Sequence, residues 1–519
     1  MFEQHLKIIK IHFSILTFVV IFCMSIGALF LSNIFHNESF YFYFTKDYIQ
    51  KNISYFQYKY EFDKNIKKPL AAAGEGMLLS LPVLVYHGII SSPDASNVTL
   101  SNFKKQMFAL QRAGYQTVTL AEAYDFLQGK KTLPAKSFLL TFDDGRKDSY
   151  YPVDPILQTL GYSGVNFVIS SHSAYNSKNN YYLTLGELKQ MQNSGRWEIG
   201  AHAHVGHDLE TIDESGATGH FFANKLWIQT EKRLETDDEF YIRIETEMQA
   251  AKNLLQQKLN SAVLGFAFPF GDYGQESINY PGAKDVVLEI TKKLYPMAFY
   301  QVPSEPTNEK RNYPLQNTFL VKRIEVRPHW TEQELMQILQ MTEDKSLPFF
   351  DTFESAQGWK NVWGDFEYTD QGILISATAS TTGSMTILDG AYLWKDYIFE
   401  SDVELKQGET YTLIGRYKDG DNLVSCKFGT NRVTLEQKVN NIPKILYVWK
   451  DRALPSSSPI SLGISVKGKN VECLENHKSI GGTNMLDESL DRGSVGFSIW
   501  DPILGTSQML IHTIRVQNL

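Results

Sequence analysis

Residues 137–145, with the sequence Ser-Phe-Leu-Leu-Thr-Phe-Asp-Asp-Gly, constrain the fold of this chain more than any other stretch. An apolar run that leads into acidic residues and a glycine is typical of a buried β-strand followed by a turn. Neighbouring side chains of an extended chain point in opposite directions, so Asp143 and Asp144 can have different tasks. Because a buried carboxylate is costly unless it is paired or binds a metal, we expect one to hold a metal and the other to move protons. A surface Asp-Asp-Gly turn is the alternative.

Strand-like and helix-like segments alternate on both sides of this stretch, which implies parallel βαβ units and hence a barrel or a doubly wound sheet. Predicted strands end at His87, at Asp143 and just before a group of histidines that follows Ile199. Chemistry in such folds lies at the C-terminal ends of the strands, so these side chains should lie at one end of the sheet. Residues 210–240 are polar and irregular, and we interpret them as an insertion over one face.

The pattern changes after Phe350 to short strands separated by turns with Gly or Asp, which predicts a β-sandwich. A chain of 519 residues is also too long for one ordinary core. Cys426 and Cys473 lie in strand-like segments of this part and could pair in an oxidising compartment. Its tryptophans could stack on sugar rings, or most of them could be core or edge residues: Trp359, Trp363, Trp394, Trp449 and Trp500.

Composition argues against three classes of protein. A net charge of −8 argues against a general nucleic-acid binder. Three cysteines are too few for a disulfide scaffold or a Cys-rich zinc site.

The N-terminal residues 11–32 form an uncharged apolar run that is long enough to span a bilayer as a helix. Lys7 and Lys10 precede it, which favours a cytoplasmic N-terminus. We therefore expect a cytoplasmic tail over residues 1–10, a signal anchor over residues 11–32, and the rest of the chain outside the cytoplasm of a bacterial cell. Secretion after signal cleavage is the alternative. We interpret residues 33–78 as a juxtamembrane linker that can be partly helical and that ends in a flexible hinge.

Residues 200–209 carry a second group of polar side chains, His202, His204 and His207. Histidine is the commonest metal ligand among side chains, and a strand-to-loop transition could bring His202 and His207 together. His202 and His204 share one face of a strand and form a rival pair. Two histidines and a carboxylate such as Asp144, with open positions for water, form a catalytic metal arrangement that suits Zn²⁺ and permits other divalent ions.

Three segments together resemble the polysaccharide deacetylase family, also called NodB-homology or carbohydrate esterase family 4. They are residues 141–145, the Glu-Ile-Gly-x-His that ends at His202, and residues 268–272. The resemblance implies that Asp143 is the catalytic base and that Asp144, His202 and His207 hold the metal. The five-residue spacing of the histidines is similar to that of the branch that acts on poly-β-1,6-N-acetylglucosamine, whereas most members have a spacing of four.

The resemblance also implies residues that contact the substrate, with a backbone N–H near Tyr273 as the expected oxyanion donor. The chain departs from the family at Ala203, where Ser or Thr is usual. It also has no clean Leu-x-x-His for the general acid, and His329 is the remaining candidate. The candidates for substrate and oxyanion binding are His87, Pro269, Tyr273 and Arg323.

The implied function is metal-dependent hydrolysis of N-acetyl groups on an amino-sugar polymer of the bacterial envelope, with Zn²⁺, or else Co²⁺, Ni²⁺ or Fe²⁺, as cofactor. The alternatives are a deacetylase of peptidoglycan or chitin oligomers, an O-deacetylase, or a glycan-binding protein without activity. We expect a distorted (β/α) barrel of the NodB type over residues 79–345. A jelly-roll, laminin-G-like sandwich that binds carbohydrate should follow over residues 346–519. The expected partners are the polysaccharide and the membrane, and the oligomeric state stays open.

Overall fold

The computed structural model describes residues 38–65, 76–175, 180–302, 310–316, 318–354, 358–452 and 459–519. The predicted cytoplasmic tail and membrane anchor, residues 1–32, lie outside these ranges. Among the helices within them, none combines the length and the apolar character needed to cross a membrane. The anchor therefore stays a prediction.

Seven parallel strands close into a barrel, because each pairs with its neighbour in the chain and the last pairs with the first. They are β1 Val83–Tyr86, β2 Ser137–Phe142, β3 Gly164–Ile169, β4 Trp197–Ala203, β5 Gly265–Ala267, β6 Met297–Val302 and β7 Leu320–Glu325. The short strand Gln116–Thr117 adds to β2. The predicted (β/α) barrel is confirmed.

The alternation of side chains along β2 explains why a functional residue follows it. Leu140 and Phe142 join the core between the strands and the helices, whereas Leu139 belongs to the core inside the barrel. Asp143 continues this inward row, since it is two residues beyond the inward-facing position 141. The inner core also contains Val321 of β7.

Helices pack around the barrel. They are α1 Glu38–Asn65, α2 Leu100–Arg112, α3 Leu120–Leu127, α4 Asp154–Leu160, α5 Ser170–Ser173, α6 Leu185–Asn193, α7 Asp237–Leu259, α8 Ala283–Leu294 and α9 Glu332–Met341. Capping boxes begin α3, α6, α7 and α9, and they satisfy backbone N–H groups that have no partner within the helix. α8 and β6 were not among the elements expected from the sequence.

Helix α1 shows that the predicted juxtamembrane linker, expected to be partly helical, contains a long helix. It takes up 28 residues of the segment 33–78 and is docked on the barrel. Lys51 forms an ion pair of 2.9 Å with the buried Asp154, and the Phe62 ring packs 5.0 Å from the ring of Phe108. This part of the linker therefore belongs to the helical layer of the barrel.

The predicted insertion, residues 210–240, is more regular than expected because it contains antiparallel hairpins. The hairpins pair Leu209–Thr211 with Thr218–His220, and Trp227–Ile228 with Arg233–Leu234. The remaining short elements are the parallel pair Ile89–Ile90 and Val98–Thr99, and the 3₁₀ turns Lys147–Ser149, Pro269–Gly271 and Glu488–Leu490.

The C-terminal region forms two antiparallel sheets that share one core. The strands are β8 Phe349–Asp351, β9 Trp359–Trp363, β10 Asp365–Thr369, β11 Gly372–Ser376, β12 Gly383–Leu388, β13 Tyr397–Gln407, β14 Thr410–Asp419, β15 Asn422–Gly429, β16 Arg432–Val439, β17 Ile442–Lys450, β18 Ile460–Lys467, β19 Asn470–Glu475, β20 Lys478–Thr483, β21 Ser494–Trp500 and β22 Gln508–Asn518. One sheet has the order β10-β11-β22-β13-β18-β19-β20, with β8 beside β22, and the other has the order β9-β12-β21-β14-β15-β16-β17. The predicted all-β region is confirmed.

A disulfide joins the two sheets of this sandwich. It links Cys426 on β15 to Cys473 on β19, and both side chains are fully buried. The sequence left the pairing of these cysteines open, and the structure forms it. The tryptophans divide between core and surface: Trp359 and Trp394 are buried, Trp449 is half-buried, and Trp363 and Trp500 are exposed.

Candidate active site

Side chains at the C-terminal ends of the barrel strands converge on one site, and Asp143 lies at its base. The Asp143 carboxylate is fully buried and accepts two hydrogen bonds from Arg323, 2.6 Å from Nη1 to Oδ1 and 2.7 Å from Nη2 to Oδ2. Arg323 stands on β7 and is itself fully buried. The guanidinium of Arg323 is thus paired with Asp143 inside the barrel, and its predicted contact with substrate or oxyanion stays a prediction.

The surroundings of Asp143 keep its carboxyl group ionised. Burial alone would raise the pKa of this carboxyl, since a charge in a dry interior is poorly solvated. The charge and hydrogen bonds of Arg323, together with the nearby imidazoles of His202 and His87, outweigh burial and hold the pKa below its ordinary value. An ionised carboxylate can accept a proton, which is what a general base must do.

Asp144 turns away from the barrel interior through a left-handed backbone. Its φ is 72°, and Gly145 follows with a φ of 71°. The second position requires glycine, because a Cβ there would lie 2.8 Å from Ser173 Oγ and 3.0 Å from Val168. The Asp-Asp-Gly sequence thus presents two adjacent carboxylates to different surroundings.

Asp144, His202 and His207 form one compact group. Asp144 Oδ1 lies 3.5 Å from His202 Nε2 and 3.3 Å from His207 Nε2, and one ligand atom of each residue lies within 4.8 Å of the others. Burial would raise the pKa of the Asp144 carboxyl, but hydrogen bonds from His202 and His207, together with the charges of His202 and His87, hold it well below its ordinary value.

His202 is held in the tautomer that a metal ligand requires. Its Nδ1 lies 2.8 Å from the carbonyl oxygen of Ala267. Because a carbonyl only accepts, Nδ1 carries a proton, and in the neutral ring Nε2 is the nitrogen that would bind a metal. Metal-binding histidines commonly donate their other N–H to a backbone carbonyl in this way. The donor set fits a divalent ion such as Zn²⁺, and it also suits Co²⁺, Ni²⁺ or Fe²⁺.

The loop between the two histidines wraps around Glu247 of α7. One oxygen of this buried carboxylate, Oε1, accepts hydrogen bonds from the backbone N–H groups of His204, Val205 and Gly206 at 2.6, 2.7 and 2.7 Å. The His204 ring turns elsewhere, with Nδ1 at 2.9 Å from Ser170 Oγ. The geometry therefore favours the pair that is five residues apart over the rival pair.

His87 stands beside the candidate base. Tyr86 and Phe142 are partners in the register of β1 and β2, so the residues that follow them, His87 and Asp143, come out of the barrel side by side. His87 Nε2 lies 3.3 Å from the side-chain nitrogen of Gln301 at the end of β6. This position is compatible with the predicted contact between His87 and the substrate.

Two other predicted substrate residues lie in the loop after β5. Pro269 is buried and has no N–H, so it can contribute only shape. The Tyr273 N–H donates to Gln275 Oε1 at 2.7 Å, so the predicted oxyanion donor is already engaged. The Tyr273 ring instead packs edge-on against Tyr300, at 5.2 Å between ring centres.

The structure does not bring His329 to the site. This residue is exposed at the start of α9, close to Glu334. Within the described part of the chain, no hydrogen bond or ion pair joins it to Asp143 or to the three candidate ligands. Its predicted role as general acid lacks support in this geometry.

A second polar group beside the site was missed from the sequence. The Phe270 ring, on a backbone with φ of 59°, stacks 4.5 Å from the ring of His220 and lies 5.3 Å from that of His207. His220 Nδ1 donates to the buried Asp272 at 2.6 Å, and Glu276 lies within reach of both. Only the Phe-Pro-Phe-Gly-Asp motif pointed here, because His220 comes from the insertion 52 residues away.

The comparison with protein families gives one match in this region. A family model described as polysaccharide deacetylase matches residues 130–285, which contain Asp143, Asp144, His202 and His207.

Individual relatives cover only parts of the chain. The protein YxkH of Bacillus subtilis (strain 168) is 28% identical over 198 residues, which are 38% of this chain and 59% of that protein. The poly-β-1,6-N-acetyl-D-glucosamine N-deacetylase of Escherichia coli (strain K12) is 26% identical over 215 residues, 39% of this chain and 30% of that protein. A solved de-N-acetylase from Aggregatibacter actinomycetemcomitans has a TM-score of 0.43 at 19% identity and covers 50% of this chain and 99% of that chain. The chain thus spans 30% to 59% of the length of these curated relatives.

Proposed function

We propose, from the match of residues 130–285 to the polysaccharide deacetylase family model, that this chain is a metal-dependent N-deacetylase that releases acetate from an amino-sugar polymer. One observation carries the proposal. The buried, ionised Asp143 adjoins a separate group of two imidazoles and a carboxylate. A general base beside a metal site is the pair of components that metal-assisted amide hydrolysis requires.

Asp144, His202 and His207 would hold the ion. When bound, a divalent ion polarises a carbonyl oxygen and lowers the pKa of water, which is the chemistry that an acetamide needs. Three protein ligands leave open positions, as in catalytic zinc sites. Zn²⁺ is the proposed metal, with Co²⁺, Ni²⁺ or Fe²⁺ as alternatives.

Asp143 takes the proton of the attacking water. Arg323 keeps its carboxylate ionised and fixes its orientation through both oxygens. Each of these oxygens retains a second lone pair that can accept the proton. A base held in one orientation needs no rearrangement before proton transfer.

His87 is the residue that we assign to protonation of the leaving amine, in place of His329. It leaves the barrel beside Asp143 and contacts Gln301, and imidazole exchanges protons near neutral pH. A His87→Gln variant should lose most of kcat while it still binds the metal. An unchanged kcat would exclude this role.

We infer that the substrate is a poly-β-1,6-N-acetylglucosamine type of polymer in the bacterial envelope. The five-residue spacing of His202 and His207 and the name of the Escherichia coli relative support this inference. The predicted anchor, residues 11–32, would tether the enzyme outside the cytoplasm. The Cys426–Cys473 disulfide supports that location, since disulfides persist in oxidising compartments.

Acetate release by the purified full-length protein loaded with Zn²⁺ tests the proposal. The substrates are β-1,6-linked N-acetylglucosamine oligomers, with β-1,4-linked chitin oligomers in parallel. Asp143→Asn removes the base, and Asp285→Asn, at an exposed position on α8, is the matched control.

Acetate from the β-1,6 oligomers that disappears only in Asp143→Asn would support both the reaction and the polymer. Acetate only from the β-1,4 oligomers would keep the reaction and overturn the polymer. No release from either, with no metal retained, would favour a glycan-binding protein without activity.

A further inference from the structure

A cleft connects the candidate active site to the C-terminal sandwich. It has a volume of about 520 Å³ and is lined on one side by the loop after β5 and the ends of β6 and β7. Its lining includes Phe270, whose ring lies 5.3 Å from the His207 ring, and Gln301, whose side-chain nitrogen lies 3.3 Å from His87 Nε2. It is also lined by Lys418 and Asp419, the last residues of β14 in the sandwich. The cleft is therefore built by both domains.

Direct contacts fix the sandwich against the barrel. The backbone N–H of Lys345 donates to Gly390 at 2.7 Å, and the Tyr392 hydroxyl donates to Gln316 at 2.6 Å. The Tyr392 ring also stacks on Tyr313 at 4.6 Å. Gly390 has a φ of 77° and approaches Glu343 so closely that a Cβ would lie 2.0 Å from its carbonyl oxygen. These contacts fix the sandwich, which carries the end of β14, against the barrel.

The lining of the cleft suits a neutral ligand with many hydroxyl groups. Half-buried rings of Tyr273 and Tyr300 offer an apolar surface with a polar edge. Charged groups of both signs surround them, so the wall offers donors and acceptors without a large net charge. The cations are Lys322, Arg327 and Lys418, and the carboxylates are Glu276, Glu325 and Asp419. The volume also lies within the range of about 300–1,000 Å³ that is typical of sites for small ligands.

The sandwich side of the cleft is held in one arrangement. Lys418 Nζ donates to Asp491 at 2.9 Å. Asp419 accepts hydrogen bonds from the Asp421 N–H and the Asn422 side chain, both at 2.9 Å. A turn that is fixed before binding loses little freedom when a ligand arrives, which favours affinity.

We propose that this cleft binds sugar units of the polymer next to the unit that reacts, so that the sandwich forms one wall of the catalytic groove. The class of ligand rests on the proposed function, whereas the shared construction of the cleft rests on the contacts above. Longer oligomers should then bind to both domains at once, while short ones should reach the barrel alone.

The test compares a turn variant, Lys418→Ala/Asp419→Ala, with a control variant, Lys469→Ala/Glu488→Ala. The control removes an exposed ion pair of the same sandwich, away from the cleft. Affinity for a β-1,6-linked N-acetylglucosamine hexamer and dimer is measured by calorimetry on the full chain with Asp143→Asn, so that the ligand is not consumed. The turn variant should weaken hexamer binding roughly three- to tenfold more than dimer binding, the scale of one or two hydrogen bonds. The control variant should match the parent, and thermal unfolding confirms that both variants fold.

The outcomes separate this inference from the proposed function. Equal hexamer affinity in the turn and control variants, or no hexamer binding by the parent, would overturn the cleft assignment, even if the Asp143-intact enzyme releases acetate. Weaker hexamer binding in the turn variant would support the assignment, even if no acetate is released and the proposed activity fails.

Discussion

Asp143 and Asp144 are adjacent in the chain but meet different partners. Asp143 continues the inward row of β2 and pairs with Arg323, whereas Asp144 has a left-handed φ and faces two imidazoles. Burial raises the pKa of both carboxyls, and in both cases the neighbouring groups reverse that effect. Both residues are therefore ionised, for different reasons, and only Asp144 lies among candidate metal ligands. This separation lets one carboxylate accept protons while the other binds an ion.

Replacement of Arg323 by Gln should move the acidic limb of the pH–rate profile upward. Arg323 lowers the pKa of Asp143 and burial raises it, so loss of the cation leaves burial and the pKa of the base rises. A base with a higher pKa is protonated, and inactive, up to a higher pH. The acidic limb of the kcat/KM profile should shift upward by about one to three pH units, which is the usual effect of losing a close opposite charge.

Arg515→Gln is the control for this change, because Arg515 is a partly exposed arginine of the sandwich. A metal bound at Asp144 would act on Asp143 in both variants, so the difference between them isolates the loss of Arg323. If the acidic limb of the kcat/KM profile lies at the same pH in Arg323→Gln and Arg515→Gln, then Arg323 does not set the pKa of Asp143.

Replacement of single histidines should identify the metal ligands. His202→Ala and His207→Ala each remove one of the three convergent donors. Their affinity for Zn²⁺ should fall by more than about 100-fold, beyond the effect of losing an outer partner. His204→Ala should bind Zn²⁺ nearly as well as the unaltered protein, because its ring faces Ser170. Competition with a coloured chelator measures all three. A large loss in His202→Ala and in His204→Ala, but not in His207→Ala, would reinstate the rival pair.

At the scale of elements, helix α7 determines how the end of β4 presents its histidines. Three successive N–H groups of the loop converge on Glu247 Oε1, and such a nest of N–H groups binds an anion well. His202 lies within β4 and His207 follows the loop. The shape of the loop therefore compensates for a spacing that would separate the two rings on a regular strand or helix.

Replacement of Glu247 by Gln should weaken metal binding without altering any ligand. The amide keeps the size of the side chain but loses the charge that holds three N–H groups. We expect a loss of about 10- to 100-fold in Zn²⁺ affinity, as for other residues that orient ligands, together with faster hydrogen exchange at residues 204–206. Glu245→Gln on the same helix is the control. Unchanged affinity and exchange in Glu247→Gln would mean that α7 does not hold the loop.

At the scale of the whole molecule, the fold could be predicted where its signals are local. Such local signals need only a few neighbouring residues. They include the apolar run of β2, the capping box of Thr184 and Glu187 at the start of α6, and the short strands of the sandwich. Helix α1 was expected only as a partly helical linker, because its docking depends on Asp154 and Phe108 of the barrel. Its own sequence gives no sign of those partners.

In the candidate site, too, only the residues that lie in local motifs could be predicted from the sequence. The tandem aspartates and the histidines lie within motifs, so they could be found from the sequence. The contacts that complete the site join distant positions: Asp143 and Arg323 are 180 residues apart, and His87 and Gln301 are 214 apart. Such pairs exist only because the barrel brings β7 beside β1 and closes. Arg323 was therefore noticed in the sequence, but its pairing with Asp143 could not be foreseen there.

The disulfide between Cys426 and Cys473 should stabilise the sandwich and leave the barrel unaffected. The two cysteines are 47 residues apart in the chain and join opposite sheets, so the bond restricts the unfolded sandwich, which usually contributes about 2–4 kcal/mol. The barrel and the sandwich have separate cores and should unfold in separate transitions. In Cys426→Ala/Cys473→Ala, calorimetry should show a lower midpoint for the sandwich transition alone, with unchanged Zn²⁺ affinity. Unfolding of the unaltered protein under strong reductant should reproduce the shift. If neither treatment moves the transition, or if both transitions move together, then the bond does not act on the sandwich as an independent domain.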